Sequence, residues 1–238
     1  MKFDLSEEHF SKFQLYVKTK VEGMKFLRDL IEYNKILSQR NALLKYFALN
    51  HTFDADTLEI YNEQLTSRSQ PVYEKRKAFM EQFTPIFIER YNTICDQQEQ
   101  VNLSYDSQLH NVSHKILLEE NLSKDRMIQH TTCGIHKDDI HLLKEGQPIK
   151  KFGSQGQQKT FLVALKLAQF DFLKAETGVA PILLLDDAFD KLDQQRVSQI
   201  ISLVDQNDFG QIFITDTHED RTLQALSNTQ SSYELFKL

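Results

Sequence analysis

The stretch Ile182-Leu183-Leu184-Leu185-Asp186-Asp187 decides the fold class of this chain. Four consecutive apolar residues have the length of one strand, and an unbroken apolar run is typical of a strand buried on both faces of a parallel sheet. The two aspartates would follow at the carboxyl end of that strand, where α/β proteins bind their ligands. This stretch therefore predicts an α/β layer with a polar site at one edge of its sheet.

The sequence around this strand alternates between strand and helix patterns, as a mostly parallel sheet flanked by helices requires. A glycine-containing loop at 151–156 precedes a helix, and Gly146 marks the turn of a short hairpin between about 140 and 149. After the strand we predict a helix at 194–204, a second buried strand at 212–214, a helix at 219–226 and a last short strand at 233–236.

Residues 1–130 have a different pattern and are predicted to be mostly helical. Apolar residues recur about four apart within 24–49 and within 79–94, and Pro85 predicts a kink or a break in the second segment. Because the apolar stripes are short and keep no strict heptad, we predict an antiparallel helical arm and not a long coiled coil. The predicted domains are this arm over 1–130, unassigned before about residue 32, and an α/β portion over 131–238.

The composition narrows the class of protein. Only 7 glycines and 4 prolines occur among 238 residues, which favours long helices with few tight turns. The net charge of −6 disfavours a simple basic nucleic-acid-binding protein, although a local patch such as Lys75-Arg76-Lys77 would be enough for binding. A solvated helix face is the more common explanation of such a cluster.

Membrane and secretory signals are also lacking in this sequence. No apolar run approaches the roughly 18 residues of a membrane span, and the first residues hold no apolar signal-peptide core. The two cysteines form no Cys-x-x-Cys pair, so we expect reduced, buried thiols. These features predict a cytoplasmic protein with no membrane partner.

Asp186 and Asp187 are the candidate catalytic pair. Asp186 is predicted to hold Mg²⁺ through water, and Asp187 to polarise the attacking water. Two adjacent carboxylates repel each other, so a bound cation or partner would help to hold them. A strand followed by an ordinary acidic turn explains the same two residues equally well.

The residues Ser154-Gln155-Gly156-Gln157-Gln158 lie where a loop enters a helix. A serine hydroxyl and free backbone N–H groups at a helix N-terminus suit an anionic phosphate, and Gly156 would let the backbone approach that phosphate closely. A plain N-cap is the more common role of a serine at this position.

Two further groups of polar residues accompany the strands. Asp190 and Asp193 follow the acidic pair, and Asp193 is also well placed to cap the next helix. Thr215, Asp216 and His218 end the second strand, where one of them would sense a γ-phosphate. A lone histidine at such a position is more often a surface residue.

The order and spacing of these segments are more specific than any one of them. They match ABC-type ATPases, which carry a signature loop, a Walker B strand, a D-loop and a switch strand in this order. The chain resembles the RecF family in particular, whose signature is of the type Ser-x-Gly-Gln-Gln-Lys and whose Walker B strand ends in two aspartates. Two upstream segments, Cys133–Asp139 and Asn34–Lys45, also resemble that family, although Ile135 stands where it has proline.

The resemblance covers about residue 32 to the C-terminus and implies the C-terminal half of an ABC-type ATPase head together with an all-α arm. It implies ATP and Mg²⁺ as cofactors, with Ser154, Gln155, Gly156 and Gln157 acting on ATP held by a second subunit. The intact protein is expected to form an ATP-dependent homodimer and to bind duplex DNA at gaps and single-strand junctions. A RecR-like mediator is its expected partner, in replication, recombinational repair and the SOS response.

One feature of that family is missing from these residues. None of the seven glycines is followed by lysine, so no G-x-x-x-x-G-K-[ST] phosphate-binding loop (P-loop) is present. A natural truncation, a mis-started reading frame or an expressed fragment would each explain this. We expect the chain alone to bind ATP weakly, to hydrolyse almost none and to expose an apolar sheet edge. A non-catalytic DNA- or protein-binding module is the alternative function.

Overall fold

The computed structural model describes residues 20–95, 99–187, 189–205 and 209–216 and, toward the C-terminus, 223–224, 226–227, 229 and 232–236. The chain divides into two compact units, each built from separate stretches of sequence. The first unit is Met1–Met80 with Tyr105–His141, and the second is Glu81–Ser104 with Leu142–Leu238. The domain boundary near residue 130 rests on composition and motifs, and it stays a prediction.

The described elements are mainly helical. The α-helices are α1 (Lys20–Asn50), α2 (Ala55–Ile94), α3 (His114–Glu120), α4 (Leu122–Ile128), α5 (Ile149–Phe152), α6 (Gln155–Thr177) and α7 (Gln194–Asp205). The strands are β1 (Val101–Asp106), β2 (Asp139–Lys144), β3 (Gln147–Pro148), β4 (Ile182–Leu185) and β5 (Gln211–Ile214), and short 3₁₀ turns cover Gln108–His110 and Ile135–Lys137. None of the helices described is long and apolar enough to cross a membrane.

The two long helices α1 and α2 are those predicted from the apolar spacing. Of the kink or break expected at Pro85, the break is wrong, since α2 continues without interruption through that residue, and the kink stays a prediction. Proline removes only one backbone hydrogen bond here, and the neighbouring Phe83 and Phe87 are buried on one face of the helix. Phe87 packs on Phe161 of α6 with ring centroids 4.9 Å apart, so tertiary packing holds the helix together at this point.

The first unit contains an apolar core and a buried arginine beside it. The core includes Tyr33, Leu65 and Leu118, all fully buried. Beside it, the buried Arg40 donates from Nη1 to Asp125 Oδ2 at 2.8 Å and from Nε to Asn62 Oδ1 at 2.8 Å. Because these groups belong to α1, α2 and α4, a single side chain links three helices of this unit.

The basic cluster at 75–77 is not a solvated face throughout. Arg76 is buried, and its Nη1 donates to the carbonyl of Ile135 and to Asp138 Oδ2, each at 2.6 Å. The Tyr105 hydroxyl donates to the same carboxylate oxygen at 2.6 Å. The prediction of a solvated face is therefore wrong for Arg76, which is committed to an internal ion pair and is not exposed to a nucleic-acid phosphate.

The strands form two sheets. One has the order β1-β2-β3, in which β2 and β3 are antiparallel and joined through Gly146, whose φ of 73° suits the predicted hairpin turn. The strand β1 was not predicted from the sequence. The other sheet pairs β4 with β5 in parallel, with Leu183 opposite Ile212 and Leu185 opposite Ile214.

The strand β4 is not buried on both faces as its sequence predicts. Leu183 and Leu185 are buried, but Ile182 and Leu184 are 60% and 65% exposed, and Phe213 of β5 is 50% exposed. One face of this sheet is therefore apolar and uncovered within the described residues. The predicted helix at 219–226 lies mostly outside the described residues, and the predicted strand at 233–236 is in neither helix nor strand.

Candidate functional site

The carboxyl ends of β4 and β5 meet as the sequence predicts. The backbone N–H of Thr215 donates to the carbonyl of Leu185 at 3.0 Å, which continues the parallel pairing by one residue. The Thr215 hydroxyl then donates to Asp186 Oδ1 at 2.6 Å and accepts the backbone N–H of Asp187 at 2.8 Å. One hydroxyl therefore sets the orientation of the acidic pair, meaning Asp186 and Asp187, at the edge of the sheet.

Asp187 has two features of a site that holds a ligand. Its φ is 48°, in the left-handed region that non-glycine residues rarely adopt. Its Oδ1 is buried and has no hydrogen-bond partner among the described residues, and a buried carboxylate oxygen without a donor is costly. A cation or an ordered water at this oxygen would remove that cost, so the position fits the predicted handling of Mg²⁺ and water.

The acidic pair does not form a closed metal cage. No group of three or more His, Cys, Asp or Glu side chains with metal-binding geometry occurs in the part of the chain that the structure describes. This pattern fits Mg²⁺, which is usually held by one or two carboxylates together with substrate phosphates and waters. Asp186 and Asp187 are the residues that would hold the ion.

The loop at Ser154–Gln158, called the signature loop from here on, begins α6 with a complete capping box. Ser154 Oγ accepts the backbone N–H of Gln157 at 3.2 Å, and Gln157 Oε1 accepts the backbone N–H of Ser154 at 2.9 Å. The predicted N-cap role of Ser154 is thus observed. The hydroxyl proton of Ser154 is not used by this cap, and Gln155 is exposed beside it. Capping and anion binding are therefore compatible at this serine.

Gly156 lies at a closely packed position within the second unit. A Cβ added to this glycine would lie 3.0 Å from the carbonyl oxygen of Lys191 and 3.3 Å from Arg196 Nη1. The signature loop and the loop after β4 therefore approach each other closely. The close approach of a ligand to the backbone at Gly156 stays a prediction. The contact with Lys191 explains a small residue at this position even if no ligand binds there.

The loop between β4 and α7 is held by local interactions. Phe189 and Leu192 are buried, and Asp193 Oδ1 accepts the backbone N–H of Arg196 at 2.8 Å, as a helix cap does. Asp190 lies 3.7 Å from the ammonium of Lys191. The capping role of Asp193 foreseen from the sequence is observed, and the D-loop roles of Asp190 and Asp193 stay predictions.

The remaining switch residues are only partly described. Asp216 directly follows Thr215 and is half-buried. His218 lies outside the described residues, so its predicted contact with a γ-phosphate stays a prediction. Thr215 is in contact with the acidic pair through its hydroxyl.

Sequence reasoning missed Glu99, whose carboxylate is the centre of a cluster beside the signature loop. Glu99 Oε1 accepts Gln157 Nε2 at 2.7 Å and lies 3.6 Å from Lys144 Nζ and 3.8 Å from Arg196 Nη2. The Tyr91 hydroxyl donates to its other oxygen. Burial alone would raise the pKa of Glu99, but these hydrogen bonds and the two cations outweigh burial and lower it. No motif or spacing signals this residue, since it lies far from Gln157 in sequence.

Together these features define a class of protein. A parallel strand pair ends in an Asp-Asp site held by a threonine of the second strand, and a capped signature loop packs against the loop that follows the acidic pair. This is the C-terminal part of an ABC-type ATPase head, and the chain also carries long arm helices.

Comparisons with known proteins lead to one family, although no family model matches the sequence. Over 213 residues the chain is 54% identical to the DNA replication and repair protein RecF of Flavobacterium johnsoniae, covering 90% of this chain and 59% of the relative. It is 49% identical over 213 residues to RecF of Parabacteroides distasonis, covering 90% of this chain and 57% of that relative.

Solved structures agree with the sequence comparison. A structure of the recombination mediator protein RecF-ATP in the RecFOR pathway matches with a TM-score of 0.74 and 27% identity, over 90% of this chain and 59% of that one. A structure of RecF-ATPrS matches with a TM-score of 0.69 and 28% identity, over 83% and 54%. The chain belongs to the RecF family, and it spans less than two thirds of the length of these relatives.

Proposed function

We propose that this chain supplies the C-terminal part of an ATP site in a RecF-type DNA replication and repair protein. The observation that carries the proposal is the acidic pair itself. The Thr215 hydroxyl holds the Asp186 carboxylate and the backbone of Asp187, and one buried carboxylate oxygen of Asp187 is left for a cation or a water. Family membership and the similarity to RecF-ATP support ATP as the nucleotide.

The geometry of the acidic pair supports a role for each residue. Asp186 and Asp187 would hold Mg²⁺, and Asp187 would orient the attacking water through its buried Oδ1. Thr215 keeps the pair in position, and one of Thr215, Asp216 and His218 would sense the γ-phosphate. Mg·ATP supplies the phosphoryl group and the charge neutralisation, and the protein supplies positioning and electrostatics.

The signature loop acts on a second nucleotide in this proposal. The Ser154 hydroxyl and the N-terminus of α6 face the γ-phosphate of an ATP held by another subunit, with Gln155, Gly156 and Gln157 beside it. The pairing of two subunits would thereby depend on ATP. Gapped duplex DNA and a RecR-like mediator are the proposed partners in the cytoplasm, since the relatives are DNA replication and repair proteins and RecF is described as a recombination mediator.

The role of Ser154 is tested by complementation. The chain is mixed with the full-length Flavobacterium johnsoniae relative, whose own signature serine has been changed to arginine so that it cannot hydrolyse ATP by itself. Adding the unsubstituted chain should restore ATP turnover, and the chain with Ser154→Arg should restore less than about a tenth of it. Equal restoration by both chains would exclude the proposed role of Ser154, and no restoration by either chain would favour the non-catalytic alternative.

The role of Asp187 needs a P-loop on the same head. For this purpose the P-loop-bearing portion of the same relative is fused to this chain, which provides the segment that the 238 residues lack. Asp187→Asn should lower turnover by about two orders of magnitude while leaving ATP binding nearly unchanged, because an amide cannot replace the carboxylate. Unchanged turnover in this variant would exclude the proposed catalytic role of Asp187.

A further inference from the structure

The Gln157 amide is held at both of its ends. Its Oε1 accepts the backbone N–H of Ser154 at 2.9 Å, and its Nε2 donates to Glu99 Oε1 at 2.7 Å. A carboxylate can only accept hydrogen bonds, so Glu99 determines that the amide nitrogen faces it. The amide oxygen must then face Ser154, and the capping box of the signature loop follows from the charge on Glu99.

Glu99 is itself held rigidly. Its Oε2 accepts the hydroxyl of Tyr91, whose ring packs on Phe161 of α6 with centroids 5.1 Å apart. Its side chain is 13% exposed, so its hydrogen bonds are largely protected from competing water. Both carboxylate oxygens therefore accept hydrogen bonds, and these bonds fix the orientation of the Glu99 side chain.

The same carboxylate connects the signature loop with the loop after the acidic pair. Arg196 Nη2 lies 3.8 Å from Glu99 Oε1, and Arg196 Nε lies 3.6 Å from Asp193 Oδ2. Arg196 also lies against the backbone of the signature loop, since a Cβ on Gly156 would come within 3.3 Å of its Nη1. A continuous series of polar contacts thus runs from Gln157 through Glu99 and Arg196 to Asp193.

We infer that Glu99 is a positioning residue for the signature loop, acting through Gln157, and that with Arg196 it holds this loop against the loop ending at Asp193. The inference deepens the proposed function and rests on it for the effect on ATP turnover. The positioning itself is a property of the folded chain and is measurable without nucleotide. Glu99 touches no reacting group in this arrangement.

Hydrogen exchange of the 238-residue chain tests the positioning. In Glu99→Gln, residue 99 is neutral, so the hydrogen bond from Gln157 Nε2 is no longer charge-assisted and the attraction between Glu99 and Arg196 is lost. The backbone amides at 154–159 should exchange about tenfold faster, as expected from losing one charge-assisted hydrogen bond. Amides in the last turns of α6, at 170–177, should be unaffected.

The matched control is Asp171→Asn. Asp171 forms a part-buried ion pair with Arg90 near the other end of α6. Like Glu99→Gln, this substitution replaces a part-buried carboxylate with an amide, but at a site distant from the signature loop. This variant should leave exchange at 154–159 unchanged. A second variant, Glu99→Gln with Gln157→Glu, exchanges the amide and the carboxylate and should restore slow exchange at Ser154. If Glu99→Gln and Asp171→Asn give the same exchange at 154–159, Glu99 has no positioning role.

The complementation assay separates this inference from the proposed function. There, Glu99→Gln should lower restored turnover about tenfold, with the exchange double variant recovering part of it and Asp171→Asn having no effect. If the unsubstituted chain restores no turnover, the proposed function fails and the exchange data alone decide the role of Glu99. If turnover is restored equally by the unsubstituted chain and by Glu99→Gln, the inference fails and the proposed function stands.

Discussion

At the scale of single residues, several polar side chains have two roles that do not compete. Ser154 caps α6 through its oxygen and keeps its hydroxyl proton for a further acceptor. Thr215 both extends the pairing of β4 with β5 and orients Asp186. For these residues, the choice between a structural and a functional explanation is not exclusive, because donors and acceptors on one group serve different partners.

Gly134 provides a stability prediction at this scale. Its φ of 117° and ψ of −179° lie in a region accessible almost only to glycine. A Cβ there would lie 2.4 Å from His114 Nε2 and 2.6 Å from the Tyr33 hydroxyl. Gly134→Ala should therefore lower the free energy of unfolding by about 3 kcal/mol, combining backbone strain with overpacking.

Gly178 is the control for this substitution. Its φ of 70° is also in the left-handed region, but no atom lies within 4 Å of the Cβ position. Gly178→Ala should cost only about 1 kcal/mol, from the backbone alone. Urea unfolding of both variants measures the difference, and equal losses would contradict the predicted clash beside His114.

At the scale of elements, helix packing depends on charges as well as on apolar stripes. The apolar spacing predicted α1 and α2, but it contained no information on the ion pair between Arg40 and Asp125, which lie 85 positions apart. The continuation of α2 through Pro85 has a similar origin, since packing of Phe87 on Phe161 compensates for the local preference to break. The local sequence determines where these helices form. Side chains that are distant in the sequence stabilise them in the folded chain.

Arg40 provides the prediction at this scale. Replacing it with methionine introduces an uncharged side chain of roughly similar length. The buried Asp125 carboxylate is then left without its cation. Removing one partner of a buried ion pair typically costs about 3–5 kcal/mol, so Arg40→Met should strongly lower the unfolding free energy.

Lys115→Met is the control in the same unit. Lys115 forms an ion pair with Glu59 at 3.5 Å, and the two side chains are 54% and 40% exposed. An exposed pair of this kind contributes about 0–1 kcal/mol. Comparable losses in the two methionine variants, measured by denaturant titration, would show that burial of Arg40 does not have the predicted importance.

At the scale of the whole molecule, the buried histidines of the first unit make its stability depend on pH. Burial lowers the pKa of His114 and of His136 to about 4, from an ordinary value of 6.5. The unfolded chain therefore binds more protons than the folded chain between these values. Stability contributed by the two neutral histidines is complete above about pH 6.5 and is lost as the pH falls toward 4.

The expected loss is roughly 2 kcal/mol for each histidine across that interval. Changing both to glutamine should flatten the dependence of the unfolding free energy between pH 6.5 and 4.5. A double variant with the same pH profile as the unsubstituted chain would contradict the assignment of this dependence to His114 and His136.

The sequence by itself determined the helical arm, the order of the loop, strand and acidic pair, and the family. These features depend on periodicity and on residues that are neighbours in the chain, which are visible in one dimension. Ser154 and Asp193 were recognisable as caps for the same reason, since a cap and its helix are adjacent.

Tertiary structure alone decided three further points. It placed Glu99 against Gln157 from 58 positions away, it buried Arg76 on Asp138, and it left Ile182 and Leu184 exposed where their sequence predicts complete burial. Each of these points depends on which side chains from distant parts of the sequence pack at that position. The sequence of β4 does not show whether a second layer covers the strand, and the sequence around Glu99 does not show which donors bind its carboxylate.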